Sequence, residues 1–206
     1  MRTYKIAVLA GDGIGPEITA EAKKILRHIE TRNEVNFDLT DGLFGAAAYF
    51  ETGASFPKET IDICDQADAI LKGTIGLSHE DSKKIPIDDQ PERGALLPMR
   101  RRYDTYANLR PVYLPPSLAH FSPLRPEIIG HGIDAIIVRE LVGGLYFGHK
   151  TMGIDDAGKR FVHEQLEYTE DQIKRVLRIC FKLAMQRKGY LHNVHKSNVL
   201  KSSVLW

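Results

Sequence analysis

The sequence predicts an α/β protein with an open, mostly parallel sheet and helices on its faces. Two observations carry this prediction. Short apolar runs of strand length end at glycine or at a charged residue, and the stretches between them repeat apolar residues at helical spacing. Strands that alternate with helices are typical of parallel sheets, because the chain needs a crossover helix to return in the same direction.

The first strand, loop and helix follow from the N-terminal residues. Residues 4–10 (YKIAVLA) form an apolar run that ends at a glycine, as a buried strand does. Pro16 suits the first turn of a helix, and Glu17 lies near the positive end of that helix dipole. Apolar residues then recur at helical spacing at Ile18, Ala22, Ile25, Leu26 and Ile29.

Further elements follow along the chain. A helix over 58–67 leads into a second strand over 67–73, which again ends at a glycine. Residues 134–141 (DAIIVREL) are predicted as a third strand, and residues 190–196 (YLHNVHK) are a candidate fourth strand.

A long helix is predicted to begin at Thr169, because Thr169 and Gln172 have the spacing of a capping box. Gly189 is the expected stop signal beyond its end. The apolar face consists of Ile173, Val176, Leu177, Cys180 and Ala184. The final residues, SSVLW, indicate the start of another helix, and we expect the sequence to be a piece of a longer chain.

Composition narrows the class of protein. The 206 residues are 43% hydrophobic and 27% charged, and 28 Lys and Arg balance 27 Asp and Glu, so bulk charge indicates neither nucleic acid nor an anionic membrane. Cys64 and Cys180 lie in apolar surroundings and are expected to be buried free thiols in a reducing compartment. No apolar run reaches the roughly 18 residues of a membrane span, so a cytoplasmic protein is expected.

The glycine loop LAGDGIGPEI, residues 9–18, resembles a dinucleotide-binding fingerprint but does not match it. The fingerprint reads G-x-G-x-x-G, whereas the third glycine comes one position early here and Pro16 follows it. Glu30, the nearest candidate for the ribose-binding acid, still lies in the helical pattern. The alternative is a tight strand-to-helix turn that can still meet a ligand through free N–H groups at the helix N-terminus.

Arginines are concentrated in residues 96–114, where Arg100, Arg101 and Arg102 are consecutive and Arg110 follows. Two guanidinium groups at a distance can bind the two ends of a dicarboxylate. Consecutive residues on a helix point in different directions, so at most two of the three can meet one ligand. A solvated basic helix face is the alternative interpretation.

Two later segments contain candidate catalytic side chains. Arg139 follows strand residues at the place where open α/β sheets bind ligands, and the Tyr146 phenol can donate a proton. In NVHKSNVL, residues 193–200, Lys196 follows an apolar run, and a lysine in that position can have its pKa lowered by burial or by a cationic neighbour, which suits it to proton transfer. Neighbouring His195 has no metal-ligand partners at suitable spacing. Each of these residues alone would more often be structural.

Together these segments resemble the metal- and NAD-dependent β-decarboxylating dehydrogenases, a family that includes isocitrate, homoisocitrate and 3-isopropylmalate dehydrogenases. The resemblance covers essentially the whole chain. The matching segments, in the family's order, are GDGIGPEI, ANLRP, IVRELVGGLYFG and HKSNVLKSSVLW. It implies that family's open sheet and not a standard Rossmann domain. Residues 1–99 would be the N-terminal part of the large α/β domain and residues 100–206 an incomplete substrate and dimerisation domain.

The resemblance also implies roles for individual residues. Tyr146 matches the tyrosine that protonates the carbon after decarboxylation, and Lys196 matches the lysine that reaches the substrate hydroxyl from the partner subunit of a homodimer. The matching substrate-binding residues are Arg100, Arg110 and Arg139 for the malate carboxylates, and Leu96, Leu97 and Val199 for the apolar part. The matching cofactor-binding residues are Ile14, Gly73, Thr74, Ile75 and Asn198.

The implied activity is NAD-dependent oxidative decarboxylation of 3-isopropylmalate to 2-oxoisocaproate in leucine biosynthesis, with Mg²⁺ or Mn²⁺. The family's metal-binding aspartates lie beyond the lysine motif, so no metal ligand is expected within this chain, and the 206 residues alone are expected to be inactive. The sequence VHK at 194–196 is closer to the isocitrate and homoisocitrate branches, which remain alternative substrates. A truncated non-catalytic remnant or an interaction subunit is the alternative from another class.

Overall fold

The chain forms two compact units, Met1–Arg102 and Tyr103–Trp206, in a computed structural model that describes residues 1–130 and 132–206. The predicted boundary after residue 99 falls inside a short helix, α5 (Leu97–Arg102). The architecture is α/β, with an open parallel sheet and flanking helices, as the sequence predicts.

The first unit is built on a three-stranded parallel sheet. Its strands are β1 (Arg2–Gly11), β2 (Val35–Asp41) and β3 (Ala69–Thr74), and β1 lies in the centre. Because both edges of β1 are paired, Ala7, Val8 and Leu9 are fully buried. The strands predicted at 4–10 and 67–73 are confirmed as β1 and β3. β2 was not predicted, although its sequence VNFDLTD alternates apolar and polar residues as a half-buried strand does.

Helices connect and flank these strands. Helix α1 (Gly15–Arg32) joins β1 to β2 and has Pro16 and Glu17 in its first turn, which confirms the predicted helix. Helix α3 (Lys58–Asp65) confirms the helix predicted over 58–67, with an end two residues earlier. The remaining helical segments of this unit are α2 (Ala46–Thr52), α4 (His79–Ser82), a turn of π-helix (Pro91–Leu96) and α5.

The second unit contains two antiparallel pairs of strands. β4 (Ala107–Leu114) pairs with β5 (Ile133–Glu140), and β6 (Lys150–Ile154) pairs with β7 (Arg160–Glu164). The third predicted strand is confirmed as β5, but it runs antiparallel to β4 and does not join the parallel sheet. The described residues of the connection form two short helical turns, Pro116–Phe121 and α6 (Pro126–Ile129), and antiparallel neighbours need no long crossover.

Helix α7 (Glu170–Met185) packs against β5, and its predicted start is confirmed in detail. The Thr169 N–H donates to Gln172 Oε1 at 2.9 Å, and the Gln172 N–H donates to Thr169 Oγ1 at 3.3 Å, which completes the capping box. Beyond the helix, Gly189 has φ +77° and its N–H donates to the Ala184 carbonyl at 3.0 Å. The SSVLW stretch lies in a short final helix, α8 (Lys201–Leu205).

The candidate strand at 190–196 is wrong, because these residues form neither a helix nor a strand. A strand needs a neighbouring edge for its backbone hydrogen bonds and at least one buried face. Here Tyr190 is exposed and Val194 is 95% exposed, so no apolar face is buried that could hold the segment on a sheet.

Cys64 and Cys180 are both buried and free, as predicted. They belong to different units, and burial raises the pKa of the Cys180 thiol. Among residues 1–130 and 132–206, no helix is long and apolar enough to cross a membrane.

Candidate functional site

The turn from Gly11 to Gly15 joins β1 to α1 and lies directly against the end of β3. Gly11 has φ +77°, and a Cβ there would lie 1.9 Å from the Thr74 carbonyl oxygen. A Cβ on Gly15 would lie 2.0 Å from the Ala10 carbonyl oxygen. The two glycines are therefore needed for the close approach of backbones, which is the tight turn that the sequence offered as the alternative to a dinucleotide fingerprint.

The outer part of this turn is open to solvent. Ile14 is 60% exposed and forms the N-cap of α1 without a side-chain cap. A Cβ built on Gly13 would meet nothing within 4 Å. An exposed apolar side chain beside an uncapped helix N-terminus suits a ligand with an apolar ring and an anionic group.

The predicted residues at the end of β3 lie beside this turn. A Cβ on Gly73 would lie 2.2 Å from the Ala10 carbonyl oxygen, so β3 also requires a glycine at this position. The Asp12 N–H donates to the Thr74 carbonyl at 2.8 Å, and Thr74 Oγ1 donates to the Asp12 carbonyl at 2.9 Å. The structure thus brings Ile14 and the segment 73–75 together at one end of the sheet.

Asp12 is the most buried charged side chain among the described residues, at 5% exposure. Its Oδ2 accepts from the N–H groups of Ala46 and Gly76, each at 3.0 Å, and its Oδ1 accepts from the Ala47 N–H at 2.8 Å. The sequence analysis did not single out Asp12. The available signal was an acidic residue between two glycines directly after a buried strand.

Lys72 precedes the predicted segment and was also missed. Burial lowers the pKa of Lys72 most strongly, the charge of Arg100 lowers it further, and Asp12 opposes both effects. The Lys72 ammonium donates to the Gly73 carbonyl at 2.6 Å. Lys72 and Arg100 are therefore within electrostatic reach of each other in the first unit.

The arginine-rich segment is divided between a helix and a strand. Leu96 ends the π-helical turn, Leu97 begins α5, and both are half-buried. Arg100 lies in α5 with Arg102, whose Nε donates to Asp65 Oδ1 at 2.8 Å and whose Nη2 donates to Asp65 Oδ2. Arg102 therefore has a structural ion pair, in agreement with the prediction that the consecutive arginines do not all meet one ligand.

Arg110 and Arg139 share one face of the β4–β5 ribbon. Arg139 lies directly opposite Asn108, and Arg110 lies directly opposite Ile137. Because side chains alternate along a strand, this register makes the two arginines diagonal neighbours on the same face. Arg110 Nε donates to Asn108 Oδ1 at 2.6 Å, which holds the guanidinium beside Asn108. Asn108 is a further residue that the sequence analysis missed.

Tyr146 lies next to this pair, in the short 3-10 turn Gly144–Tyr146. The guanidinium carbon of Arg139 is 5.0 Å from the centroid of the Tyr146 ring, and the tyrosine is 57% exposed. A cation at this distance from a ring face is attracted by the ring quadrupole. The structure thus brings Arg139 and Tyr146 together in the second unit, and Arg110 lies on the same face of the ribbon as Arg139 but does not line the cavity that Arg139 and Tyr146 share.

A buried carboxylate holds the turn that leads to Tyr146. Glu140 is 9% exposed and accepts from the N–H groups of Val142 at 3.1 Å and Gly143 at 2.9 Å. A Cβ on Gly144 would lie 2.3 Å from the Tyr168 hydroxyl oxygen. Burial and the charge of Glu140 raise the pKa of Tyr168, and Arg139 opposes them.

Lys196, Asn198 and Val199 lie in the exposed segment between α7 and α8. The Lys196 carbonyl accepts from the Val199 N–H at 3.1 Å, so these residues form a turn. A cavity of about 830 Å³ in the second unit is lined by Arg139, Tyr146 and His195, and none of the three predicted residues lines it. The structure of the single chain therefore does not bring them to Arg139 and Tyr146.

No three His, Cys, Asp or Glu side chains lie close enough to hold a metal ion in residues 1–130 and 132–206. The carboxylates at the two predicted loops, Asp12 and Glu140, are instead occupied by backbone N–H groups.

Solved structures resemble this fold over nearly the whole chain. The TT0538 protein from Thermus thermophilus matches with a TM-score of 0.71 at 27% identity, over 98% of this chain and 37% of that chain. Isocitrate dehydrogenase from Methylococcus capsulatus matches with a TM-score of 0.70 at 24% identity, over 98% of this chain and 54% of that chain, which shows the shared fold.

Curated relatives are more similar in sequence. The 3-isopropylmalate dehydrogenase of Carboxydothermus hydrogenoformans is 46% identical over 203 residues, which are 98% of this chain and 54% of that protein. The 3-isopropylmalate dehydrogenase of Campylobacter jejuni is 44% identical over 206 residues, which are 100% of this chain and 56% of that protein. The chain therefore spans about half the length of these relatives. The family described as isocitrate/isopropylmalate dehydrogenase matches residues 5–206, so the chain belongs to that family.

Proposed function

We propose that this chain supplies substrate arginines and cofactor-side loops for the NAD-dependent oxidative decarboxylation of 3-isopropylmalate to 2-oxoisocaproate, a reaction of leucine biosynthesis. The observation that carries the proposal is the placement of Arg110 and Arg139 on one face with Tyr146 beside Arg139. The names of the similar curated proteins favour this substrate.

The arginines account for substrate binding. Two guanidinium groups at diagonal positions can each bind a carboxylate of a malate-type acid through paired N–H groups. The bond from Arg110 Nε to Asn108 leaves the terminal nitrogen atoms of Arg110 for the substrate. We assign Arg100 to the same carboxylates, and Leu96, Leu97 and Val199 to the isopropyl group, on the family resemblance.

Two side chains are assigned to proton transfer. Lys196, supplied by a second copy of the chain in a homodimer, takes the proton of the substrate hydroxyl as that carbon is oxidised. After carbon dioxide leaves, the Tyr146 phenol donates a proton to the carbon that carried it. The exposure of both residues in the single chain agrees with a site that is completed by further protein.

NAD would be bound along Ile14, Gly73, Thr74, Ile75 and Asn198. When bound, NAD accepts the hydride from the hydroxyl-bearing carbon. The exposed Ile14 side chain and the uncapped N-terminus of α1 suit its ring and phosphate groups. The family resemblance implies Mg²⁺ or Mn²⁺ as well, but the described residues do not fit such an ion, and only the two proton transfers are assigned to side chains of this chain. We place the protein in the cytoplasm, which two free buried thiols support.

Isocitrate or homoisocitrate is the second candidate substrate. The observation that favours it is Lys72, a half-buried cation within electrostatic reach of Arg100. A third carboxylate would offset the cost of keeping two cations together there, whereas an isopropyl group would not. The VHK sequence at 194–196 agrees with this candidate.

Calorimetric titration of the chain with 3-isopropylmalate, isocitrate and homoisocitrate tests the proposal. We expect 3-isopropylmalate to bind most tightly, and Arg110→Gln and Arg139→Gln each to weaken binding at least about tenfold. Arg178→Gln, which changes an exposed arginine of α7, is the matched control and should not alter the affinity. A preference for isocitrate of more than about tenfold would refute the favoured substrate.

An assay of NADH formation tests the alternative that the chain is a non-catalytic remnant or an interaction subunit. We expect the 206-residue chain alone to form no NADH from any of the three acids, because we propose that other parts of a longer protein contribute to the site. A chain that neither turns over nor binds any of the acids would support a non-catalytic remnant or an interaction subunit.

A further inference from the structure

The carboxylate of Asp12 contacts three separate segments of the first unit. Its bonds reach the N-terminus of α2 at Ala46 and Ala47, and the segment after β3 at Gly76. The backbone of the same residue exchanges two hydrogen bonds with Thr74. One buried residue therefore joins the turn that carries Ile14, the segment that carries Thr74, and the start of a helix.

We infer that Asp12 is a positioning residue for the cofactor, because it holds the Gly11–Gly15 turn and the segment 73–76 in a single arrangement. The inference rests on the proposed NAD site, which uses Ile14 on one side and Thr74 and Ile75 on the other. Asp12 itself is buried and acts through these neighbours.

The N-terminus of α2 needs a hydrogen-bond acceptor, and the Asp12 carboxylate supplies it. Gly45, the N-cap of α2, has φ +84° and no side chain, so Asp12 supplies from a distant segment the acceptor that a capping residue usually provides. A Cβ on Gly45 would lie 2.6 Å from Asp12 Oδ2, so any side chain there would displace the carboxylate.

An amide cannot replace this carboxylate. A carboxylate accepts hydrogen bonds at both oxygens, and here both oxygens are used. In Asp12→Asn, the amide NH₂ group would face either Ala47 or the pair Ala46 and Gly76, all of which are donors. The substitution therefore breaks at least one of the three bonds although it preserves the size of the side chain.

Amide hydrogen exchange of the 206-residue chain, followed by NMR, tests whether Asp12 holds the two loops and the start of α2 together. In Asp12→Ala we expect the amides of Ala46, Ala47 and Gly76 to exchange at least about tenfold faster relative to core amides of β1, and in Asp12→Asn we expect this either of Ala47 or of the pair Ala46 and Gly76. Gly45→Ala should have the same local effect without removing the charge, and it serves if Asp12→Ala does not fold.

The matched control is Thr60→Val, which removes another buried bond, from Thr60 Oγ1 to the Leu43 carbonyl at 2.7 Å. We expect it to change exchange throughout the unit without a specific effect at the loops. Equal protection of Gly76 in Asp12→Ala and in Thr60→Val would overturn the inference.

Titration with NAD⁺, followed through the amide shifts of Gly13, Ile14 and Thr74, tests the link to the cofactor. We expect Asp12→Ala and Gly45→Ala to weaken NAD⁺ binding at least about tenfold and Thr60→Val to leave it unchanged. Unchanged affinity in the Asp12 variants would refute the positioning role. If the parent chain shows no shifts with NAD⁺ while the exchange results hold, the proposed cofactor site fails and the inference about NAD fails with it.

Discussion

Replacement of Glu140 by glutamine is expected to destabilise the second unit by about 2 kcal/mol. The Glu140 side chain is 9% exposed and accepts two backbone N–H groups, from Val142 and Gly143. In Glu140→Gln one carboxylate oxygen becomes an NH₂ group, so one of these N–H groups faces a donor and loses its partner. A hydrogen bond to a charged acceptor contributes about 1.5–3 kcal/mol, and the part-buried position of both bonds limits how far water can replace the lost acceptor.

The single tryptophan allows the loss of unfolding free energy to be measured in the second unit. Trp206 lies 5.4 Å from the Tyr168 ring in an edge-on arrangement, so its fluorescence reports on the second unit. With a urea dependence of about 2 kcal/mol per M, a 2 kcal/mol loss lowers the unfolding midpoint by about 1 M.

Asp155→Asn is the matched control for this prediction. Asp155 also accepts two backbone N–H groups, from Ala157 at 3.0 Å and Lys159 at 2.8 Å, but both bonds end on Oδ1 and the side chain is exposed in the β6–β7 turn. The amide oxygen of Asp155→Asn can therefore keep both bonds, so we expect a cost of no more than about 0.5 kcal/mol. Equal midpoint shifts for Glu140→Gln and Asp155→Asn would refute the argument that a lost acceptor at Glu140 causes the destabilisation.

Three further predictions follow from single contacts. Lys72→Met removes a cation whose pKa is lowered by burial and by Arg100, so the variant should be no less stable than the parent in urea, and calorimetry should show at least about tenfold weaker binding of isocitrate if isocitrate is the substrate. An equal effect on 3-isopropylmalate would exclude Lys72 as the residue that selects between them. Thr169→Ala removes the N-terminal cap of α7 and should cost about 1 kcal/mol by circular dichroism in urea, whereas a loss below about 0.3 kcal/mol would show that the cap is dispensable. Because burial raises the pKa of Cys180, the folded state holds this proton more tightly than the unfolded state does. The resulting stabilisation is complete below the ordinary pKa of a thiol and is lost as the pH rises through the folded pKa. Stability measured between about pH 7 and pH 10 should therefore fall less steeply in Cys180→Ala, and an unchanged slope would contradict the shift.

Local patterns in the sequence predicted the elements that depend on near neighbours. The start of α7 depends on Thr169 and Gln172, three residues apart, and both bonds of the capping box form. The turn into α1 depends on Gly15 and Pro16, and it too was predicted. These features are decided by backbone conformations and side chains within one helical turn, so the surrounding fold hardly alters them.

Pairing between distant strands could not be predicted in the same way. β5 has the apolar character of a buried strand, yet it pairs antiparallel with β4, which was not identified as a strand. Residues 190–196 also contain apolar residues but form no strand. Strand formation is settled by a partner elsewhere in the chain, and apolar runs alone do not specify that partner.

The residues of the candidate site also differ in whether the sequence or only the folded structure reveals them. Arg110, Arg139 and Tyr146 were found from their residue types and motifs, because guanidinium and phenol groups have a chemistry that can be recognised in any sequence. Asp12 was missed because its partners lie 34 to 64 residues away and are backbone N–H groups, which every residue but proline possesses. Residue type therefore identified the side chains that we propose bind the substrate or transfer a proton to it. The backbone donors that hold the Asp12 carboxylate come together only when the chain folds.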